Sequence, residues 1–269
     1  MPKNASSADN QQERSKKVIK QRLFWKSSET TRQISQFDIS LAYLLGFLYT
    51  DGCLSPKGNG NWRIYFSVTS LTLAKTFRDS ALDVFNINSS KVRFNSTHSG
   101  YHTVIINSKE IGAFLTENFG CFRTLSYSGG ILTDAHLPVK EILCMGLAPN
   151  FLRAAFTCDG GVSFYSVTQS NRAWLNRCIF LSCSHPVLRD EYCILLNSIG
   201  ITHKNDPKDG KIRITSRTAM EEFRKKIGFI EGVEITNHSK NWSGYPKNVV
   251  LDYLLDSYNC PSKYLNKLR

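Results

Sequence analysis

The sequence predicts an α+β fold built from two copies of one unit, helix–strand–strand–helix–strand–strand–helix, each with a four-stranded antiparallel sheet. Three observations lead to it. An apolar helix ending on Asp-Gly occurs twice, as LAYLLGFLYTDGCL (41–54) and NFLRAAFTCDGGV (150–162), with Asp51 and Asp159 108 residues apart (159 − 51). Each copy is followed by strand-like alternation. The same order of helices and strands then recurs in both halves, which implies two similar subdomains related by a pseudo-twofold axis.

In the first motif the only polar groups from Ser40 to Thr50 are the hydroxyls of Ser40, Tyr43, Tyr49 and Thr50. A helix apolar on all sides is buried, and Gly52 is expected to supply the left-handed turn that ends it. Small residues recur four apart, at Gly46 and Thr50 and again at Ala154 and Cys158, a spacing that lets two helix backbones approach closely. Two such helices packed together carry Asp51 and Asp159 to the same end. Burying an unpaired carboxylate is costly, so a pair of them points to a divalent cation.

Residues 1–36 are polar, with a basic run at Lys16, Lys17, Lys20, Arg22 and Lys26, and are expected to form an N-terminal extension. Trp62, Ile64, Phe66 and Val68 alternate with Arg63, Tyr65, Ser67 and Thr69, the period of a half-buried strand. The turn at 57–61 makes a hairpin of Cys53–Lys57 and Trp62–Thr69. A helix is expected at Leu71–Phe85, strands at Lys91–Asn95 and Tyr101–Asn107, and a short helix at Ile111–Phe119. The second half repeats the order. Strands fall near Val162–Gln169 and Cys178–Ser184, a helix at Val187–Ile199, strands near Thr202–Asn205 and Lys211–Thr215, and a helix at Ala219–Ile227. The boundaries that follow are a first subdomain at 37–120, a linker at 121–148 rich in Ser, Gly and Thr, a second subdomain at 149–250, and a C-terminal tail at 251–269.

A net charge of +12 suits a polyanionic partner. The eight cysteines show no zinc-ligand spacing and lie mostly among apolar neighbours, the pattern of free thiols in a reducing, intracellular compartment. No apolar run reaches the length of a membrane span, and no signal-peptide core opens the chain. One face of each sheet must cover the helices, leaving the other for function. In the first half that face offers Lys57, Asn59, Asn61, Arg63, Tyr65, Ser67, Lys91, Arg93 and Asn95. In the second it offers Ser163, Tyr165, Gln169, Lys204, Lys211, Arg213 and Thr215. Arg, Lys, Asn and Gln can pair with base edges in a major groove, which admits a β-ribbon. These faces are basic with almost no acid, so a nucleic acid is the expected partner, and with the paired motifs double-stranded DNA.

LLGFLYTDG (44–52) and LRAAFTCDG (152–160) resemble the two motifs of the LAGLIDADG homing endonucleases in their single-chain form. The resemblance covers residues from about 38 to 250. It implies a monomer without an obligate protein partner, whose two sheets form a saddle on DNA and whose acids each serve one strand of a double-strand break. It implies Mg²⁺ as cofactor, with Mn²⁺ or Ca²⁺ able to occupy the same sites, held by Asp51, Asp159 and the carbonyls of Thr50 and Cys158. It also implies a basic residue in the loop after the last helix of each half, for which Arg123 and Lys240 are the candidates. Ser70 and Ser184 stand where the family usually has Gln or Lys, a departure that bears on the cleavage rate. Two other functions on the same fold are an RNA-binding intron maturase, which need not keep both acids, and a DNA-binding protein with little catalysis.

Overall fold

The computed structural model describes residues 38–122, 127–128, 131–170, 172–236 and 239–268. The expected N-terminal extension and Arg123 lie outside the described residues. Helix α1 (Ile39–Leu48) starts on Asp38, whose carboxylate accepts from the Leu41 N–H at 2.9 Å, satisfying one orphan donor of its first turn. Every residue from Leu44 to Leu48 is buried, as an all-round apolar helix requires.

The first sheet comprises β1 (Gly52–Gly58), β2 (Asn61–Val68), β3 (Val92–Ser96) and β4 (His102–Asn107), in the order β1-β2-β4-β3 with every pairing antiparallel. Ile64, Phe66 and Val68 of β2 and Val104 and Ile106 of β4 are buried against α2 (Leu71–Phe85) and α3 (Lys109–Phe119). Phe47 of α1 and Phe77 of α2 both pack on Phe66. Ser70, one of the two departures noted above, caps α2, its hydroxyl accepting from the Leu73 N–H.

The second half has the same order. Helix α5 (Ala148–Cys158) leads into β7 (Gly160–Gln169) and β8 (Arg172–Ser182), followed by α6 (Pro186–Ser198), β9 (Lys204–Asp206), β10 (Lys211–Ile214) and α7 (Arg217–Lys226). The sheet order is β7-β8-β10-β9, the first sheet repeated strand for strand. The β7–β8 hairpin is longer than the sequence suggested, because β8 begins at Arg172 and not near Cys178. Asn176 and Arg177 break the apolar alternation there, since Arg177 is turned to the C-terminal residues.

Between the halves lie a short hairpin of β5 (Tyr127–Ser128) and β6 (Ile131–Leu132) and the helix α4 (Val139–Cys144). The Tyr49 hydroxyl at the end of α1 bonds the carbonyls of Phe119 at 2.8 Å and His136 at 2.6 Å. Glu191 on α6 accepts the Leu137 N–H at 2.6 Å. The connection is therefore anchored to both halves.

Residues expected as a tail are helical and packed. Helices α8 (Lys247–Asp256) and α9 (Pro261–Lys267) lie on β7 and β8. Arg177 of β8 donates to the Ser257 hydroxyl at 2.7 Å and carbonyl at 2.9 Å, and its guanidinium lies over the Tyr258 ring. Trp242 stacks on Phe164 and donates to its carbonyl at 2.6 Å. Among the described residues no helix is long and apolar enough to cross a membrane.

Candidate active site and nucleic-acid face

Helices α1 and α5 pack directly on each other. A Cβ on Gly46 would stand 2.7 Å from the Ala154 Cβ and 2.7 Å from the Phe151 carbonyl oxygen. Only a residue without a side chain allows this approach. Across the same contact Arg153 donates to the Tyr43 hydroxyl at 3.2 Å. Below the crossing the chain leaves α1 through Tyr49, Thr50 and Asp51 and leaves α5 through Asp159, each acid standing immediately before the edge strand of its own sheet.

Both glycines after the acids are sterically required. A Cβ on Gly52 would meet the Leu48 Cα at 2.6 Å, and one on Gly160 would meet the Phe156 and Phe180 carbonyl oxygens at 2.6 and 2.5 Å. Neither has a positive φ, which corrects the expected left-handed turn at Gly52. The chain passes from helix into strand with its backbone pressed against the last helical turn, so the constraint is space and not handedness.

The charge of Asp51 acts on Asp159. Asp159 is half-buried, and its carboxyl is pushed up to about 7, chiefly by burial, then by the charge of Asp51, against the opposing pull of Lys247. Asp51 shows more surface, yet its surroundings still raise its carboxyl, while Lys247 and the Cys158 thiol as a hydrogen-bond donor work the other way. Thr50, whose hydroxyl returns to the Gly46 carbonyl at 2.9 Å, is buried beside them.

Sequence reasoning missed Lys247. Its ammonium is buried and donates to the carbonyls of Thr157 at 2.7 Å and Gly160 at 2.8 Å, on either side of Cys158 and Asp159. Burial brings it down to about 8, against the pull of Cys158, Asp51 and Asp159. One signal was available. Lys247 stands in the first turn of α8, where a cation opposes the helix dipole, so its partner must lie elsewhere. Lys240, the residue named from the sequence, instead lines a pocket with Ser163, Tyr165, Phe180, Trp242 and Leu268.

The strand registers place most of the expected polar face where alternation put it. Arg63 and Asn107 face each other across β2–β4, as do Tyr65 and Ile105, and Arg93 and Asn95 of β3 join the same side. Ser67 shares a hydrogen bond with Thr103 at 3.1 Å. Lys57 belongs to β1 and Asn61 opens β2, both exposed. Asn59 sits in the turn between them with φ 49°, and Lys91 ends a single 3₁₀ turn before β3, so both flank the sheet. In the second half Ser163, Tyr165, Gln169, Lys204, Lys211 and Arg213 share one face by register. Thr215 follows β10 directly and is exposed.

Two features of that second face were not legible. Asp206 lies on it and, with Asp209, grips Arg213, whose Nε is 3.2 Å from the Asp206 carboxylate. The strands of the first sheet carry no acid, whereas the second face has Asp206 on β9 and Asp209 in the turn after it. The longer β8 also adds Arg172, Trp174 and Asn176 to the face.

Residues 38–118 match the family model described as a LAGLIDADG-like domain. That match spans α1 through α3 with both hairpins, and so includes Asp51 and the whole first sheet. No curated protein matches the sequence. Similar solved structures include I-DmoI in complex with DNA and Mn, 17% identical with a TM-score of 0.45, covering 71% of this chain and 98% of that one. The meganuclease I-AabMI bound to uncleaved DNA is 10% identical, with a TM-score of 0.47 and coverage of 85% and 96%. The meganuclease I-SmaMI bound to uncleavable DNA is 10% identical, with a TM-score of 0.49 and coverage of 87% and 93%.

Proposed function

We propose that the chain is a site-specific, metal-dependent DNA endonuclease of the LAGLIDADG type, acting as a monomer through two subdomains, 37–120 and 149–250, joined by the linker 121–148. The observation that carries this reading is the meeting of Asp51 and Asp159 at one end of the α1–α5 pair, each at the root of a sheet with a polar, basic face. The Asp159 carboxyl is raised to about 7 by burial first and then by the charge of Asp51, a repulsion that a divalent cation between the two would relieve.

The donor set fits a hard divalent ion. Among the described residues no group of three or more His, Cys, Asp and Glu comes together, so the site offers two carboxylates. The carbonyls of Thr50 and Cys158, water and phosphate oxygens would complete the shell, a mixture that suits Mg²⁺ or Mn²⁺. When bound, the ion supplies charge neutralisation at the scissile phosphate and acidifies water. Asp51 and Asp159 would hold it. Lys247 fixes the carbonyl end of α5 and offsets part of the carboxylate charge. The strand faces seat the duplex, with Arg63, Arg93 and the amides of Asn61 and Asn95 able to reach base edges. The result is a double-strand break, one strand for each acid.

The test is cleavage of a randomised plasmid library with Mg²⁺, followed by Asp51→Asn and Asp159→Asn on the recovered target. Each variant should lose double-strand cleavage while target binding stays within about tenfold, about 1.4 kcal/mol, because a metal ligand and not a DNA contact is removed. Cleavage of both strands at the parent rate by either variant would overturn the assignment.

A further inference from the structure

The two open sheet faces differ in chemistry. The strands of the first carry no acid, and they present Arg63 and Arg93 with the amides of Asn61 and Asn95. On the second, two cations are already engaged: Arg213 by Asp206 and Asp209, and Lys211 over the Phe180 ring at 5.5 Å. Besides Lys204, exposed on β9, that face leaves open the tip of the β7–β8 hairpin. Tyr165 is 44% and Trp174 43% exposed. Their places in the ladder adjoin, with Tyr165 opposite Asn176 and Trp174 opposite Val167.

An exposed tryptophan and tyrosine side by side on a strand face form an apolar platform that favours a covering partner. Charge selects the kind of partner. Arg172 stands at the tip beside Gln169, and Lys240 lines the same pocket as Tyr165, so cations border the platform where a duplex would place its phosphates. The apolar group that a major groove presents is the 5-methyl of thymine.

We infer that the two halves read their half-sites differently: the first sheet through guanidinium and amide hydrogen bonds to purine edges, the second through contact of Trp174 and Tyr165 with thymine methyl groups. This rests on the endonuclease reading above. It makes the target chemically asymmetric, with thymine where the β7–β8 tip enters the groove.

The experiment uses the full chain and the target recovered from the random library. Each thymine is replaced in turn by deoxyuridine, which removes only the methyl, and duplex affinity is measured. Losing one buried methyl is expected to weaken binding about fourfold, from ~0.8 kcal/mol per buried carbon and 1.4 kcal/mol per tenfold. The loss should be confined to the half-site under β7–β8. In Trp174→Ala, at a position 43% exposed and outside the core, that penalty should vanish while the first half-site keeps its profile. Trp174→Phe should retain part of it. Equal uracil penalties in both half-sites, a penalty unchanged by Trp174→Ala, or a target without thymine there would each overturn the inference and leave the endonuclease reading standing. A library that yields no preferred sequence overturns both.

Discussion

Gly46 on α1 lies directly against Ala154 on α5, with 2.7 Å between the Ala154 Cβ and the place a Gly46 Cβ would take. The same position also meets the Phe151 carbonyl at 2.7 Å, and backbone cannot swing aside as a side chain can. Gly46→Ala should therefore destabilise the chain by about 1–3 kcal/mol, the usual cost of overpacking, and Gly46→Leu by more. Denaturant midpoints measure it. A Gly46→Ala variant as stable as the parent would show that the helices part at no cost.

Without divalent ions, the acid pair should weaken the fold as pH rises. The Asp159 carboxyl sits at about 7 in the folded chain against 3.8 in an unconstrained one, so the folded state holds the proton longer. Stability is then full below about pH 4, falls between 4 and 7, and stays low above. Asp159→Asn should remove that slope and stabilise the metal-free chain at pH 8 by roughly 1–2 kcal/mol, after allowing for the part of the group that water reaches. Unfolding across pH in the presence of a chelator checks the sign, and a flat parent profile would refute it.

Lys247→Met should leave the Thr157 and Gly160 carbonyls without their donor, costing about 1–3 kcal/mol. Because the ammonium holds both acids down, its loss should also move the Asp159 titration upward. A merely structural lysine would lower stability without shifting that titration.

Arg63 and Arg213 should not behave alike, although both face outward from corresponding sheets. Arg63→Ala should relax base preference within one half-site by about 1–3 kcal/mol, since no acid on its sheet holds it. Arg213→Ala should change less. Asp209→Asn, by loosening the grip on Arg213, should increase the salt dependence of DNA binding by about one unit of slope. Affinities at two salt concentrations decide it.

Deleting 261–269 should be severe. It removes Tyr264 and Leu268, which are 2% and 7% exposed, at about 1.5–3 kcal/mol for each buried apolar side chain. A truncated chain melting with the parent would return this segment to the status of a tail.

The legible parts of the fold were those with one dominant period. The helix at Leu71–Phe85 has the bounds its spacing gave, and the strand from Trp62 has the buried face that its alternation gave. The motif helices were legible because the small residues and the acid recur together. The rest depended on partners distant in sequence. Arg177 reads as a break in a strand until Ser257 and Tyr258 are brought beneath it. Lys247 reads as a surface lysine until α8 carries it to carbonyls 87 and 90 residues away. Arg213 reads as a free cation until the turn after β9 folds Asp209 back onto it.

The buried ammonium also sets a limit on symmetry. Asp51 and Asp159 come from equivalent places in the repeat, but Lys247 is supplied by the second half alone, from a helix with no counterpart among the described residues of the first. Two copies of residues 38–122 joined as a symmetric dimer would bring two Asp51 carboxylates together with nothing equivalent to Lys247 between them. The repeat supplies the paired acids and the second half alone supplies their counter-charge, so the halves are complementary parts and are not interchangeable.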